Sequence, residues 1–261
     1  MKIYYPERII CLTEETTETL YLLGEQDRII GVSGFTVRPA IARKDKPKIS
    51  TFIDAKIDKI CDLKPDLVIG FSDIQGNIAK ELIEKGIPVW INNYRSVQGI
   101  KKMIFQLGVL VGRKQESLQL IQQINDQIDS IIKKVEKWEN QPKVYFEEWD
   151  DPTFSGIRWV SELIEIAGGE DIFSNKSHGK LAMEREIQWS DVVEKNPDII
   201  LASWCGKSVD IDSIKEREGW DQISAIKNNR IHEIDSSIIL QPGPASLTDG
   251  LSVLESLIRE Q

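Results

Sequence analysis

A chain of 261 residues, 41% hydrophobic and 29% charged, can bury a sizeable core without metal or disulfide staples. Its 33 Lys and Arg against 42 Asp and Glu leave a formal charge of −9, which argues against nucleic acid or an anionic lipid surface as partner. No window approaches the roughly 18 apolar residues of a spanning helix, so no membrane insertion is expected. Cys11, Cys61 and Cys205 are widely spaced and match no CxxC or CxxH metal pattern, so buried free thiols are expected. Met1-Lys2-Ile3 runs into Tyr4, Tyr5, Pro6 and Glu7 without the apolar core of an export signal. The expected location is therefore cytoplasmic, with the periplasm or cell surface as the alternative if a signal has been removed.

In chain order, Arg8 to Leu12 reads as a buried strand, Thr13 to Thr16 as a loop and cap, and Glu18 to Gly24 as a helix stopped by its glycine. Strands follow at Arg28–Ser33, Leu67–Gly70 and Val89–Ile91, with helices at Asp58–Leu63 and Ile78–Lys85 between them. Apolar strands alternating with helices predict a parallel sheet in an α/β lobe. Ile100, Ile104, Leu107 and Val111 then recur at helical spacing. Leu118, Ile121, Ile124, Ile128, Ile131 and Val135 continue the series, giving an unbroken helix from Lys114 to Trp138. Beyond Pro142 the alternation resumes, with strands at Val144–Glu148, Asp198–Ala202 and Arg230–Ile234 and helices at Arg158–Ala167 and Leu247–Arg259. The fold class expected is α/β, two Rossmann-like lobes with central parallel sheets (1–95 and 141–261) joined by one long rigid helix within 96–140.

An internal echo supports two related halves. The run from Ile57 through Lys64-Pro65-Asp66 to Ile69 aligns without a gap with the run from Trp189 through Asn196-Pro197-Asp198 to Leu201. Each copy is a short helix, a turn and a buried strand.

Catalytic signatures are missing. No GxGxxG follows a strand, and neither GxxxxGK[ST] nor GxSxG occurs. The two histidines, His178 and His232, lie in unlike contexts, so neither a metal site nor a cofactor is expected. The informative residues lie at the carboxyl ends of predicted strands, where open α/β sheets bind ligands. Glu14 and Glu15 follow the first strand, and Phe35 and Arg38 the second. Trp149, Asp150 and Asp151, then Trp204 and Lys207, then Gln241, hold such positions in the second half. Flat apolar surface beside a few directional polar groups is the usual lining of a small-molecule site.

The opening strands and helix, Ser50-Thr51-Phe52, Lys64-Pro65-Asp66, the long helix, Ala167-Gly168-Gly169-Glu170-Asp171-Ile172-Phe173 and Asn196-Pro197-Asp198 together resemble the helical-backbone (class III) substrate-binding proteins of metal-chelate ABC importers. The resemblance covers nearly the whole chain and is nearest in pattern to the cobalamin-binding members. It implies a non-enzymatic protein that holds cobalamin, haem or a ferric siderophore between two lobes. Phe35, Phe52 and Trp149 are then ligand-facing aromatics, and Asp58 and Asp191 are the carboxylates for docking an ABC permease. Leu240 and Gln241 stand where the family carries a charged pair. The expected partners are a corrinoid or other metal chelate, with an ABC permease as a further candidate, and the chain is expected to be a monomer. Alternatives are a cytosolic binding protein for another polar or cationic metabolite, and an enzyme using Cys205, its thiol activated by Lys207, or the Asp150 and Asp151 acids.

Overall fold

The structure, a computed structural model, describes residues 4–51 and 54–259. Phe52 lies outside the described residues. The chain divides into two compact units. The first takes Met1–Tyr94, Gln98–Gln123 and Pro242–Pro244, and the second takes Arg95–Val97, Ile124–Gln241 and Ala245–Gln261.

The first unit holds five strands, β1 (Ile9–Cys11), β2 (Ile29–Ser33), β3 (Lys48–Ser50), β4 (Leu67–Phe71) and β5 (Val89–Asn92). Their order is β3-β2-β1-β4-β5 and every pairing is parallel. Ile10, Leu12, Ile49, Val68, Ile60 and Leu82 pack as one cluster under helices Ile57–Asp62 and Gly76–Glu84. The winding reverses between β1 and β4, which makes the loops leaving these strands a topological switch point.

The second unit holds β6 (Lys143–Asp150), β7 (Thr153–Ser155), β8 (Glu170–Asp171), β9 (Ile199–Ala202) and β10 (Ile231–Glu233). The order is β10-β9-β6-β7, with β8 beside β6; β7 is antiparallel and the other pairings are parallel. Here the sequence reading needs correction. Trp149 and Asp150 are not loop residues, because β6 continues through Asp150 and turns at Asp151-Pro152 into β7. Trp149 pairs with Phe154 across that hairpin.

Two further differences have local causes. The first helix runs Glu14–Leu22, so it begins four residues earlier than the apolar pattern predicts. Its polar first turn is buried, and the hydroxyls of Thr16, Thr17 and Thr19 donate back to the carbonyls of Thr13, Thr13 and Glu15. The long helix runs Lys114–Val135, 22 residues and about 33 Å. Leu118 is exposed on it, and Ser117 takes the buried place. Gly108 lies so close that a Cβ there would sit 2.4 Å from that of Ser117, leaving no room for a larger side chain.

The internal echo is structural as well. Lys64 and Asn196, at φ 48° and 47°, both end their helices in the left-handed region. Asp66 then accepts the backbone N–H groups of Glu7 and Arg8, at 2.7 and 2.9 Å, and anchors the start of β1. Asp198 accepts that of Lys143 at 2.8 Å and anchors the start of β6. The Pro-Asp pair is thus a device for launching the strand beside the unit's central one.

Candidate ligand-binding site

In the first unit, Leu12 ends the apolar run of β1, and Thr13, extended at φ −138°, opens the helix that carries Glu14 and Glu15. Both carboxyls are buried, at 3% and 2% exposure. Glu14 Oε2 accepts the backbone N–H groups of Val37 and Arg38, the latter at 3.1 Å. Arg38 in turn pairs through Nε with Glu18 Oε1 at 3.0 Å. Glu15 Oε1 accepts the Thr13 hydroxyl at 2.5 Å. Gly243 lies against Glu15, where a Cβ would come within 2.5 Å of the glutamate's own. The remaining oxygens, Glu14 Oε1 and Glu15 Oε2, are buried without a partner among the described residues. Burial is the main cause that pushes both carboxyls up to about 7. The backbone donors act against it at Glu14, as does the Thr13 hydroxyl at Glu15, while the acids repel one another.

Other buried polar groups at this end of the sheet also lack partners among the described residues: the Thr36 hydroxyl after β2, the Ser50 hydroxyl on β3, and both amide atoms of Asn92 on β5. Phe35, 44% exposed, stands next to Thr36 and gives its N–H to Ser33 Oγ at 3.2 Å.

In the second unit, the carboxyl end of β6 is built on a buried ion pair. Glu147 is fully buried, and both its oxygens accept from the Arg217 guanidinium, one at 2.9 Å. The Tyr145 hydroxyl at 2.9 Å and Trp204 Nε1 at 3.2 Å complete its shell. Burial and the adjacent Glu147 carboxylate hold the Tyr145 phenol well above its usual range. The next residue, Glu148, is clamped by Arg185 at 2.6 and 2.7 Å.

Trp149, Asp150, Trp204 and Lys207 come together at the outer end. Lys207 Nζ is 2.7 and 2.8 Å from the two Asp150 oxygens, 4.4 Å from the Trp149 ring centre and 4.7 Å from that of Trp204. Burial alone would raise the Asp150 carboxyl, but the Lys207 ammonium outweighs it and holds the group below its ordinary range. Gly206, at φ 81°, supplies the left-handed turn that aims Lys207. Trp204 itself is packed into the core at 4% exposure, while Trp149 is half-buried and donates Nε1 to the Asp151 carbonyl at 3.0 Å. Gln241 is half-buried at the start of the Pro242–Pro244 segment.

Two grooves flank this cluster. One of about 490 Å³ is lined by Trp204, Lys207, Ser208, Glu233 and Asp235. The other, about 340 Å³, is lined by Asp150, Asp151, Gln188 and Trp189. A larger groove of about 860 Å³ lies at the amino ends of the same strands, beside Asp198, Arg230 and His232. Its position disfavours it, since sheets of this kind bind at the other end.

Lys207, offered above as the group to activate Cys205, commits its ammonium to Asp150 and the two indoles. Cys11 is inert, its thiol pushed by burial up to about 12. Among the described residues no group of three or more His, Cys, Asp or Glu is arranged to hold a metal ion, and no helix is long and apolar enough to cross a membrane. Asp58 is exposed in the first turn of helix Ile57–Asp62, and Asp191, half-buried, caps its own helix by accepting the Gln188 N–H at 3.4 Å. Glu18, Glu147 and Arg217 were not singled out in sequence. Their partners are distant in the chain, and only the ends of apolar runs hint at them.

The family described as periplasmic binding protein matches residues 9–238. The chain is 30% identical to a vitamin B12-binding protein of Vibrio campbellii, over 95% of this chain and 88% of that protein. It is 26% identical to an uncharacterised ABC transporter substrate-binding lipoprotein of Bacillus subtilis, over 97% and 80%. A solved structure described as a possible iron-binding, periplasmic solute-binding protein from Staphylococcus epidermidis superposes with a TM-score of 0.84 at 26% identity, covering 98% of this chain and 100% of that one. With matched strands, switch-point loops and nearly full coverage, the chain belongs to the periplasmic binding protein family.

Proposed function

We propose that this protein is the substrate-binding component of an ABC importer and that it binds a bulky metal chelate, a corrinoid first among them. One observation supports this most. Of the ten buried polar side-chain atoms without partners among the described residues, seven lie at the carboxyl ends of strands: those of Glu14, Glu15, Thr36, Ser50 and Asn92 in the first unit, and Ser203 in the second; the others belong to Arg185, Trp220 and Glu255. Orphaned buried groups are costly, and such violations concentrate at functional sites. Phe35 and Trp149 add aromatic surface at the same ends, as does Phe52 in the sequence reading. The B12-binding relative supports a corrinoid, and the lipoprotein relative supports a place of work outside the cytoplasmic membrane. Asp58 and Asp191 are then the carboxylates offered to a permease.

The test is a titration of intrinsic Trp fluorescence with cyanocobalamin, ferrioxamine B and haemin, each checked by calorimetry. Saturable binding of at least one, with a Kd of ~1 μM or tighter (about −8 kcal/mol), is expected. No heat and no saturable quenching with any of the three would contradict the reading.

A further inference from the structure

We propose that the ligand is rich in hydrogen-bond donors and carries no net negative charge, and that Glu14 and Glu15 are the groups that read it. The proposal rests on the substrate-binding reading above and narrows its ligand class.

Two independent sets of observations carry it. The first concerns four cations near the strand ends, each already held by a carboxylate. Arg38 is paired with Glu18, and Lys207 with Asp150 under two indole faces. Arg185 is held by Glu148 and Arg217 by Glu147, the last pair sealed from water. An anionic chelate, such as a porphyrin with its two carboxylates, would have to pull one of these cations from its carboxylate. At the strand ends of the first unit, taken by itself, such a chelate would bring negative charge toward two acids that already repel each other.

The second set concerns what the strand ends offer. Glu14 Oε1 and Glu15 Oε2 are acceptors buried beyond nine-tenths, and neither is satisfied. The surrounding orphans are of the same use: hydroxyls of Thr36 and Ser50, and the Asn92 amide, whose oxygen accepts and whose nitrogen donates. Thr36 immediately precedes Val37, whose N–H holds the other oxygen of Glu14, so the carboxylate is held in place while its second oxygen stays buried and unpaired among the described residues. A ligand that presents amide or ammonium N–H groups would satisfy these acceptors, and leaving them unmet costs more than a typical hydrogen bond gains. The acids' position after β1, at the switch point of an all-parallel sheet, is where a ligand is met.

The experiment compares three probes on the full chain: aquacyanocobinamide, a cation fringed with amides; ferrioxamine B, a ferric chelate bearing an ammonium; and haemin, a dicarboxylate. Each is titrated against the wild type, Glu14→Gln and Glu15→Gln. Glutamine keeps one acceptor oxygen for Val37 and Arg38 or for Thr13 but puts an N–H₂ donor where the free oxygen stood. Binding of cobinamide or ferrioxamine B at least about 100-fold tighter than haemin is expected, falling about tenfold or more in each variant. Thermal midpoints of both variants should equal or exceed that of the wild type, which separates lost recognition from lost folding. Haemin binding as tightly as the other two, or donor-ligand affinity unchanged in both variants, would overturn the proposal and leave the substrate-binding reading in place. If none of the probes binds, that reading fails and this one with it.

Discussion

Replacing Arg217 with methionine is expected to lower the free energy of unfolding by about 3–5 kcal/mol. The guanidinium is the only cation recorded against Glu147 among the described residues, and Glu147 is fully out of water. Removing it strands a carboxylate in the second unit's apolar cluster, between Tyr145, Trp204 and Trp220. The loss is more than the pair itself, because Arg217 also lies over the rings of Trp189 and Trp220, at 4.9 and 4.6 Å from their centres. A second substitution separates these contributions. In Glu147→Gln with Arg217→Met the buried charge is gone, while the glutamine oxygen can still accept from the Tyr145 hydroxyl or Trp204 Nε1. The double variant should therefore recover at least half of the loss in urea unfolding. A single variant within 1 kcal/mol of wild type, by the same measure, would show that the pair does not hold the end of β6 in place.

Stability should also fall as pH rises from about 4.5 to about 7, and Glu14 with Glu15 should account for the fall. Burial raises both carboxyls from 4.5 to about 7 in the folded chain. Between those values the folded state binds more protons than the unfolded state, so deprotonation favours unfolding across this window. The charges facing them are Glu18, which raises both further, and Arg38, which opposes the rise at Glu14. For the coupled pair the effect is on the order of 3 kcal/mol. Urea unfolding at pH 5, 6, 7 and 8 should show the decline in the wild type and a flatter profile in the Glu14→Gln, Glu15→Gln double variant. Parallel profiles would place the cause elsewhere.

The fold was largely legible because its signals are local. Short apolar runs bounded by Gly, Pro and acids place seven of the ten strands among the described residues, from Ile9–Cys11 to Ile231–Glu233. The Lys64-Pro65-Asp66 and Asn196-Pro197-Asp198 repeats mark the two strands that flank the central ones. What escaped is what depends on distant partners. The run Glu147-Glu148 looks like the polar end of a strand, and only Arg217 and Arg185, far along the chain, let β6 carry those charges inward and onward to Asp150. Likewise Glu14 to Thr17 look like a solvated loop, yet they are buried, because each threonine hydroxyl there finds a backbone carbonyl within its own turn. The short edge strand Lys48–Ser50 and the hairpin strand Thr153–Ser155 are too brief to show a period.

The candidate site divides along the same line. Residue types at strand ends nominate Glu14, Glu15 and Phe35, and the structure puts them in the loops or helix start after β1 and β2, whereas Trp149 lies inside β6. The clustering of Lys207 with Asp150, Trp149 and Trp204 could not be read in advance, as it depends on the turn at Gly206.

Hydrogen exchange with and without saturating aquacyanocobinamide tests most directly whether the carboxyl ends of the strands are the ligand face. Amides of 13–18, 34–38, 149–151 and 203–208 should slow on binding, while those of 140–143 and 228–232, at the amino ends, should not change. Protection confined to the amino-end groove around Asp198, Arg230 and His232 would contradict the assignment.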